Sequence, residues 1–346
     1  MNLNLQELSR KAGVSIASVS RALNGKPGVS EKKRALIQKM AKDFGYIANP
    51  QASALRSKTR SGWTLLTSSS PSQITQHRNQ YFLKTLREMA FSIQVITVAP
   101  KENFKTTLER IWQDPPAVLL VHGLQGVSSR ELEVKGRDPR TTVISIDRNS
   151  KIFDSVCIDR AEGVRTATRL MLTGGVTSPA FLTSQSHSTL LNDERNQGII
   201  KAYKDLGLKH KETDFHPIKE ATSEMGKEVT LKLLQSRFVD AIFCYSDQVG
   251  YGVLRALYEK GIKVPDEVRV IGFDDLPHSA MTTPSLTTVS QPVQEMVDIA
   301  ISLALSRQNN PEGDLQTVLL PTRLIPRESC PIRDHLHREK TFLHKN

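Results

Sequence analysis

The chain has 346 residues, a formal net charge of +11 and 24% charged residues, and no apolar run approaches the roughly 18 residues that would mark a membrane-spanning helix. Three cysteines, Cys157, Cys244 and Cys330, are widely spaced and odd in number, which excludes a disulfide framework or a Cys-x-x-Cys zinc site and reads as reduced thiols. The first residues lack a signal peptide's apolar stretch, so the expected location is the cytoplasm, with no membrane partner.

Charge is concentrated at the start. Residues 1–60 hold 12 Lys or Arg against 3 Asp or Glu, so +9 of the +11 lies there, and such a segment calls for a polyanion, DNA first among them. Leu5, Leu8 and Ala12, then Ile16, Val19 and Leu23, recur at i, i+3 and i+7 on either side of Gly13-Val14. This predicts two amphipathic helices joined by a tight turn, with Gly13 just past the first and Ser15 capping the second. A third helix is predicted from Ser30, with Leu36, Ile37, Met40 and Phe44 as its apolar stripe, ending at Gly45. In a helix-turn-helix of this kind the second helix enters the major groove, which puts Ile16, Ala17 and Arg21 at the bases. Arg21 can bond two guanine acceptors, and the apolar side chains can meet thymine methyls.

The words Ala12-Gly13-Val14-Ser15, Val19-Ser20-Arg21-Ala22-Leu23-Asn24-Gly25, Val29-Ser30 and Gly45-Tyr46-Ile47-Ala48-Asn49-Pro50, followed by Ala52 and Ala54-Leu55, closely resemble the headpiece of the lactose-repressor (LacI/GalR) family of bacterial transcription regulators. The resemblance adds Ser15, Ser20 and Asn24 to the DNA-binding set. It also implies a hinge helix running from Asn49 through Ala52 to Leu55, with Leu55 wedged between base steps in the minor groove. Arg56, Lys58 and Arg60 would then follow the phosphates.

Beyond Arg60 short apolar runs alternate with stretches at helical spacing. The runs are 63–67, 93–98, 117–121, 143–146, 180–182, 241–245 and 268–273; intervening helices include 82–90, 163–172, 194–206, 226–235 and 248–260. That alternation predicts parallel sheets covered on both faces, and about 270 residues are enough for two halves. This body is similar to the same family's effector domain. The match lies in Val239-Asp240-Ala241-Ile242-Phe243, Ser246-Asp247-Gln248, Val264-Pro265, Val270-Ile271-Gly272-Phe273-Asp274-Asp275 and the segment from Pro284 to Gln291. The implied fold class is an all-α three-helix helix-turn-helix headpiece plus an α/β periplasmic-binding-protein-like body of two doubly wound parallel-sheet subdomains. The expected domains are a headpiece at 1–48, a hinge and linker at 49–60, and a body at 61–330, followed by a basic tail at 331–346. Within the body an N-subdomain spans about 61–157 plus 290–319, and a C-subdomain about 158–289 plus 320–330.

Ligands of such folds bind at the C-terminal ends of the strands. The rule and the resemblance together select Asp147, Arg195, Ser246 and Asp275, with Gln291 at the edge. Asp247 and Asp274 read equally as helix caps or internal pairs. The chain departs from the family pattern at Thr67–Gln73, at Gly174-Gly175-Val176 and at Ser246, where Asn is usual; these departures point away from the commonest sugars. His122 and the serines at 68 to 70 read as a solvated loop, and His335 and His337 as a solvated tail. Gly250-Tyr251-Gly252 is only half of a dinucleotide fingerprint, and no Gly-x-Ser-x-Gly nucleophile signature occurs, so neither a cofactor nor an enzyme is expected. The resemblance implies a homodimeric repressor of a pseudo-palindromic operator under the control of a small sugar-like effector, with dimer contacts chiefly from the half containing 82–90. The alternatives are an activator, or a regulator with a degenerate pocket. A periplasmic-type solute binder would leave residues 1–60 without a purpose.

Overall fold

A computed structural model describes residues 9, 12–15, 18, 19, 22, 29–43, 62–69, 72–99, 104–124, 138–184 and 193–332. The chain divides into two compact units, Met1–Gly62 and Trp63–Asn346. In the first, Gly13 has φ +61°, the left-handed conformation that glycine accepts without a Cβ clash. Next to it the Ser15 hydroxyl accepts the Ser18 N–H at 3.1 Å, which satisfies one of the free donors of a helix start. Helix α1 spans Glu31–Asp43. Its Ile37 is buried with Val19 and Ala22, and Ala12, Val14, Val29 and Met40 pack around them. Leu36 departs from the expected stripe: it is 52% exposed, because one residue turns a helix by about 100° and Ile37 already occupies the inward position.

The body contains two six-stranded sheets. The first half consists of β1 (Gly62–Ser68), α2 (Gln73–Glu88), β2 (Ser92–Val98), α3 (Phe104–Gln113), β3 (Val118–His122), β4 (Thr142–Ile146) and β5 (Asp154–Ile158). The second half consists of α4 (Arg160–Thr173), β6 (Pro179–Thr183), α5 (Glu194–Asp205), β7 (Phe215–Pro217), α6 (Ser223–Ser236), β8 (Ala241–Cys244), α7 (Asp247–Glu259), β9 (Arg269–Asp274) and β10 (Thr287–Ser290). The chain then returns to the first half with α8 (Val293–Asn309) and β11 (Thr317–Leu320), and β12 (Arg323–Ile325) goes back to the second. It therefore crosses between the halves three times. Helix α2 begins nine residues before the apolar spacing predicts, because the Ser72 hydroxyl caps it by accepting the Thr75 N–H.

The two halves repeat one arrangement. Their sheets run β11-β5-β4-β3-β1-β2 and β12-β10-β9-β8-β6-β7, and the pairs β1–β3, β3–β4 and β4–β5, like β6–β8, β8–β9 and β9–β10, are parallel. Strands β3, β4, β5, β6 and β8 are buried along their whole length, as expected of strands covered by helices on both faces. In each sheet the strand order reverses beside the first strand, between β1 and β3 and again between β6 and β8, and ligand crevices open at such points.

Close packing of the helices depends on glycine. A Cβ at Gly252 of α7 would lie 1.8 Å from the Ser223 carbonyl oxygen of α6, which accounts for the glycine in the Gly250-Tyr251-Gly252 stretch by helix contact. The return of α8 is fixed by Arg307, whose guanidinium donates to both oxygens of buried Asp154 at 2.7 Å each, while Asp154 also accepts the Gln316 N–H at 2.8 Å. The three cysteines are buried and form no disulfide. No helix among the described residues is long and apolar enough to cross a membrane.

Candidate functional site

The C-terminal ends of β3, β4 and β9 converge on Arg78, a residue of α2 that is only 1% exposed. Its Nη1 donates to Asp147 at 2.6 Å, just after β4, and approaches His122 Nε2, at the end of β3, at 3.3 Å. Its Nη2 donates to the Gln291 carbonyl oxygen, and the Gln291 amide in turn donates to Asp274 at the end of β9. Asp147 also accepts from Arg160, at the start of α4, and Arg160 reaches Glu194 at 3.4 Å. A polar chain thus runs Glu194–Arg160–Asp147–Arg78–Gln291–Asp274 and joins residues of both halves.

A second set of polar contacts fixes Arg78 from behind. His122 Nδ1 lies 2.9 Å from the Asn79 carbonyl oxygen, and the Asn79 amide donates to Thr67 at 3.2 Å. The partners assign the tautomer: Nδ1 carries the proton, and Nε2 accepts from Arg78. Burial first, and then the Arg78 charge, lower the His122 pKa to about 3, so the ring stays neutral. It is 1% exposed, which corrects the solvated-loop expectation for this residue: it closes the end of a fully buried strand.

The carboxylates respond to their neighbours in opposite directions. Burial alone would raise Asp147, but the Arg78 and Arg160 guanidiniums outweigh it and hold that carboxyl well below the usual range. Asp274 is pushed up to about 7, by burial first and then by Asp247, against the opposing charges of Arg195, Arg78 and Arg160. Asp247 is also raised by burial, although it accepts from Ser279 (2.6 Å), Thr288 (2.5 Å) and the Leu276 N–H (2.8 Å). Of the four non-glycine residues with positive φ among those described, three are here: Asp147 (+66°), Asp274 (+122°) and Asp275 (+56°). Strain of this kind gathers at working sites and needs firm surroundings to persist.

Arg195, in the first turn of α5, is held differently. Its guanidinium carbon sits 4.3 Å from the Tyr245 ring centroid and 4.5 Å from that of Phe273, close enough for cation–π attraction. Its Nε is buried without a hydrogen-bond partner. Ser246 caps α7 by accepting the Val249 N–H at 3.4 Å, and Asp275 pairs with Arg327 at 2.6 Å. Of the five body residues selected from sequence, Asp147 and Gln291 meet through Arg78, and Arg195 stands beside Asp274 through Phe273. Ser246 and Asp275 make separate local contacts. Arg78 and Arg160 are the residues that sequence reasoning did not select. Of the headpiece residues, Ser15 is the helix cap described above; Ile16, Ala17, Ser20, Arg21, Asn24, Asn49, Ala52, Leu55 and Arg56 lie outside the described residues, as do Lys58, Arg60, His335 and His337.

Comparison with known proteins places this architecture. Residues 4–49 match the family described as bacterial regulatory proteins, lacI family, and residues 168–330 match a periplasmic binding protein-like domain. The chain is 29% identical over 315 residues to the HTH-type transcriptional regulator GalS of Salmonella typhimurium, covering 88% of this chain and 89% of that protein. Its fold is similar to that of the lac repressor dimer bound to operator and the anti-inducer ONPF (TM-score 0.73, 20% identity, 96% and 100% of the two chains). It is also similar to that of a LacI family regulator from Enterococcus faecium with bound ribose (TM-score 0.69, 19% identity, 79% and 100%). A helix-turn-helix headpiece with a body of periplasmic-binding-protein type defines a DNA-binding transcription regulator. Headpiece and body alike are similar to those of lacI-family regulators.

Proposed function

We propose that the protein is a repressor that binds a pseudo-palindromic operator as a homodimer, in the cytoplasm and without catalytic activity, and whose operator affinity is set by a small sugar-like effector in the body cleft. The observation that carries the reading is the polar chain from Arg160 through Asp147 and Arg78 to Gln291 and Asp274, which links both halves at the strand ends where ligands of this fold bind. An effector that favours one closure of the halves biases the operator-bound or the released state by the difference in its affinity for the two. In this reading residues 49–60, which separate headpiece and body in sequence, carry the effect. Asp147, Arg195, Ser246, Asp275 and Gln291 form the effector site. Ser15, Ile16, Ala17, Ser20, Arg21 and Asn24 meet the major groove, while Asn49, Ala52, Leu55 and Arg56 meet the minor groove and its phosphates.

The relatives' names and bound molecules support this assignment by analogy: a regulator of similar fold holds ribose, and another sits on its operator as a dimer. A second reading, a regulator with a degenerate pocket, is favoured by the internal partners of Asp147, Asp275 and Gln291.

The test begins with selection of bound sequences from random DNA, followed by operator titrations. Arg21→Ala is expected to cost about 1–3 kcal/mol and to relax preference at one base pair, and Leu55→Ala to weaken specific binding far more than non-specific binding. Uniform loss across sequences for both variants would reduce the headpiece to a phosphate binder. Titration with a sugar panel separates the two readings of the cleft, since only the first allows any sugar to shift operator affinity.

A further inference from the structure

A neutral sugar is held by groups that both donate to and accept from its hydroxyls, and carboxylates with free oxygens are the usual acceptors. Among the described residues, each carboxylate at this cleft already has an internal partner. Asp147 receives Arg78 and Arg160, Asp275 receives Arg327, and the Gln291 carbonyl receives Arg78 while its amide occupies Asp274. Asp247 receives Ser279, Thr288 and the Leu276 N–H.

What remains unsatisfied is donor capacity. Six buried side-chain polar atoms among the described residues lack a hydrogen-bond partner; Arg78 Nε and Arg195 Nε belong to the candidate site, and a third, Asn196 Nδ2, follows Arg195 in the first turn of α5. All three are N–H groups, and the Arg78 and Asn196 side chains are 1% exposed. A buried donor left unpaired is destabilising, so a ligand rich in acceptors gains by meeting it.

Charge points the same way. Arg78, Arg160 and Arg327 each form an ion pair with a carboxylate, whereas Arg195 forms none among the described residues, and the acid its charge acts on, Asp274, is pushed by burial toward its neutral form. Stacking against Tyr245 and Phe273 fixes its guanidinium plane and leaves its edge, including the orphan Nε, for hydrogen bonding. Such an edge matches the paired oxygens of a carboxylate or phosphate.

We propose that the cleft takes an anionic sugar derivative, bearing a carboxylate or a phosphate, in preference to a neutral sugar, and that Arg195 receives its charge. This inference rests on the proposed effector reading of the same cleft.

Isothermal titration and operator release would be measured on the full-length protein at constant ionic strength. The panel pairs common pentoses and hexoses with their aldonic and uronic acids and with their phosphate esters, with inorganic phosphate as a further probe. The expected result is one acid or phosphate ester binding at least tenfold more tightly than its neutral parent. Which arm responds identifies the charged group. Arg195→Gln removes the margin, and Arg195→Lys, which keeps the charge but loses the planar fork, restores part of it. A neutral sugar that binds as tightly as its acid and ester overturns the anion assignment and leaves the effector reading standing. If no panel member binds or changes operator affinity, both fall together.

Discussion

Asp274 is the residue on which pH acts most directly. Its carboxyl, pushed up to about 7 by burial and by Asp247, holds its proton more tightly in the folded chain than in the unfolded one, where the ordinary value is near 3.8. A group raised in this way contributes its full stabilisation below the unfolded value and loses it as pH rises through the folded value, by about 1.4 kcal/mol per unit. The loss therefore falls between about pH 4 and pH 7. Asp147, held low by its two arginines, behaves in the opposite sense: its contribution is present above about pH 4 and disappears as acid protonates it. Asp274→Asn mimics the protonated form and can still accept the Gln291 amide. It should raise the melting temperature at pH 8 and leave it nearly unchanged at pH 5; an equal shift at both values would show that Asp274 does not titrate in this range. The residues around it were unevenly legible in sequence. Asp147, Asp274 and Asp275 follow apolar strand runs and announce themselves by position. Arg78 does not, although it stands with Ile74, Phe82 and Leu86 on one buried helix face at i+4 steps. A cation on an apolar stripe is the one signal that pointed to it, and solvation of its charge by Asp147 and Gln291, far away in sequence, could not be read there.

At the scale of elements, strands buried on both faces were the clearest, because their composition follows from having no solvent side. Strand β5 reads Asp-Ser-Val-Cys-Ile and leaves no comparable run: its Asp154 is buried through Arg307, 153 residues later. Strands β7 and β12 have three residues each, too short for a pattern of period two to declare itself. Headpiece spacing located α1 but set its inward face one residue too wide at Leu36. The glycines of α7 show how a motif changes meaning in context. Since Gly252 faces the Ser223 carbonyl of α6, Gly252→Ala should force those helices apart and destabilise the body by about 1–3 kcal/mol, read from denaturant midpoints. A neutral effect would mean that the helix pair yields without loss.

Across the whole body, the halves are joined by three chain crossings and by side chains that meet at the strand ends. The Asp147–Arg160 pair joins the two halves directly and is mostly buried, with side chains 19% and 13% exposed. Breaking one side of such a pair leaves a desolvated charge and costs more than the pair is worth when intact, although here Asp147 keeps Arg78. Arg160→Gln should therefore leave the body folded but favour a more open arrangement of its halves, seen as a larger radius of gyration in solution scattering. An unchanged radius would assign closure to the crossings alone. The general architecture was legible from the repeated strand and helix alternation. Which side chains bridge the halves was not, because each bridge pairs residues from different crossings.

The register of β11 has a consequence for how the molecule is assembled. Its Thr317 lies opposite Ser155, so the first half cannot complete its sheet until a segment some 160 residues further along the chain is available. The second half needs only β12 from beyond β10. Contacts between distant segments form late, because the loop they close must be ordered first. During synthesis the first half thus waits, with the β5 edge unpaired, while the second half can gather around β6, β8 and β9. Exposed strand edges of this kind attract unwanted partners, and the pairing of β11 with β5 is what covers this one.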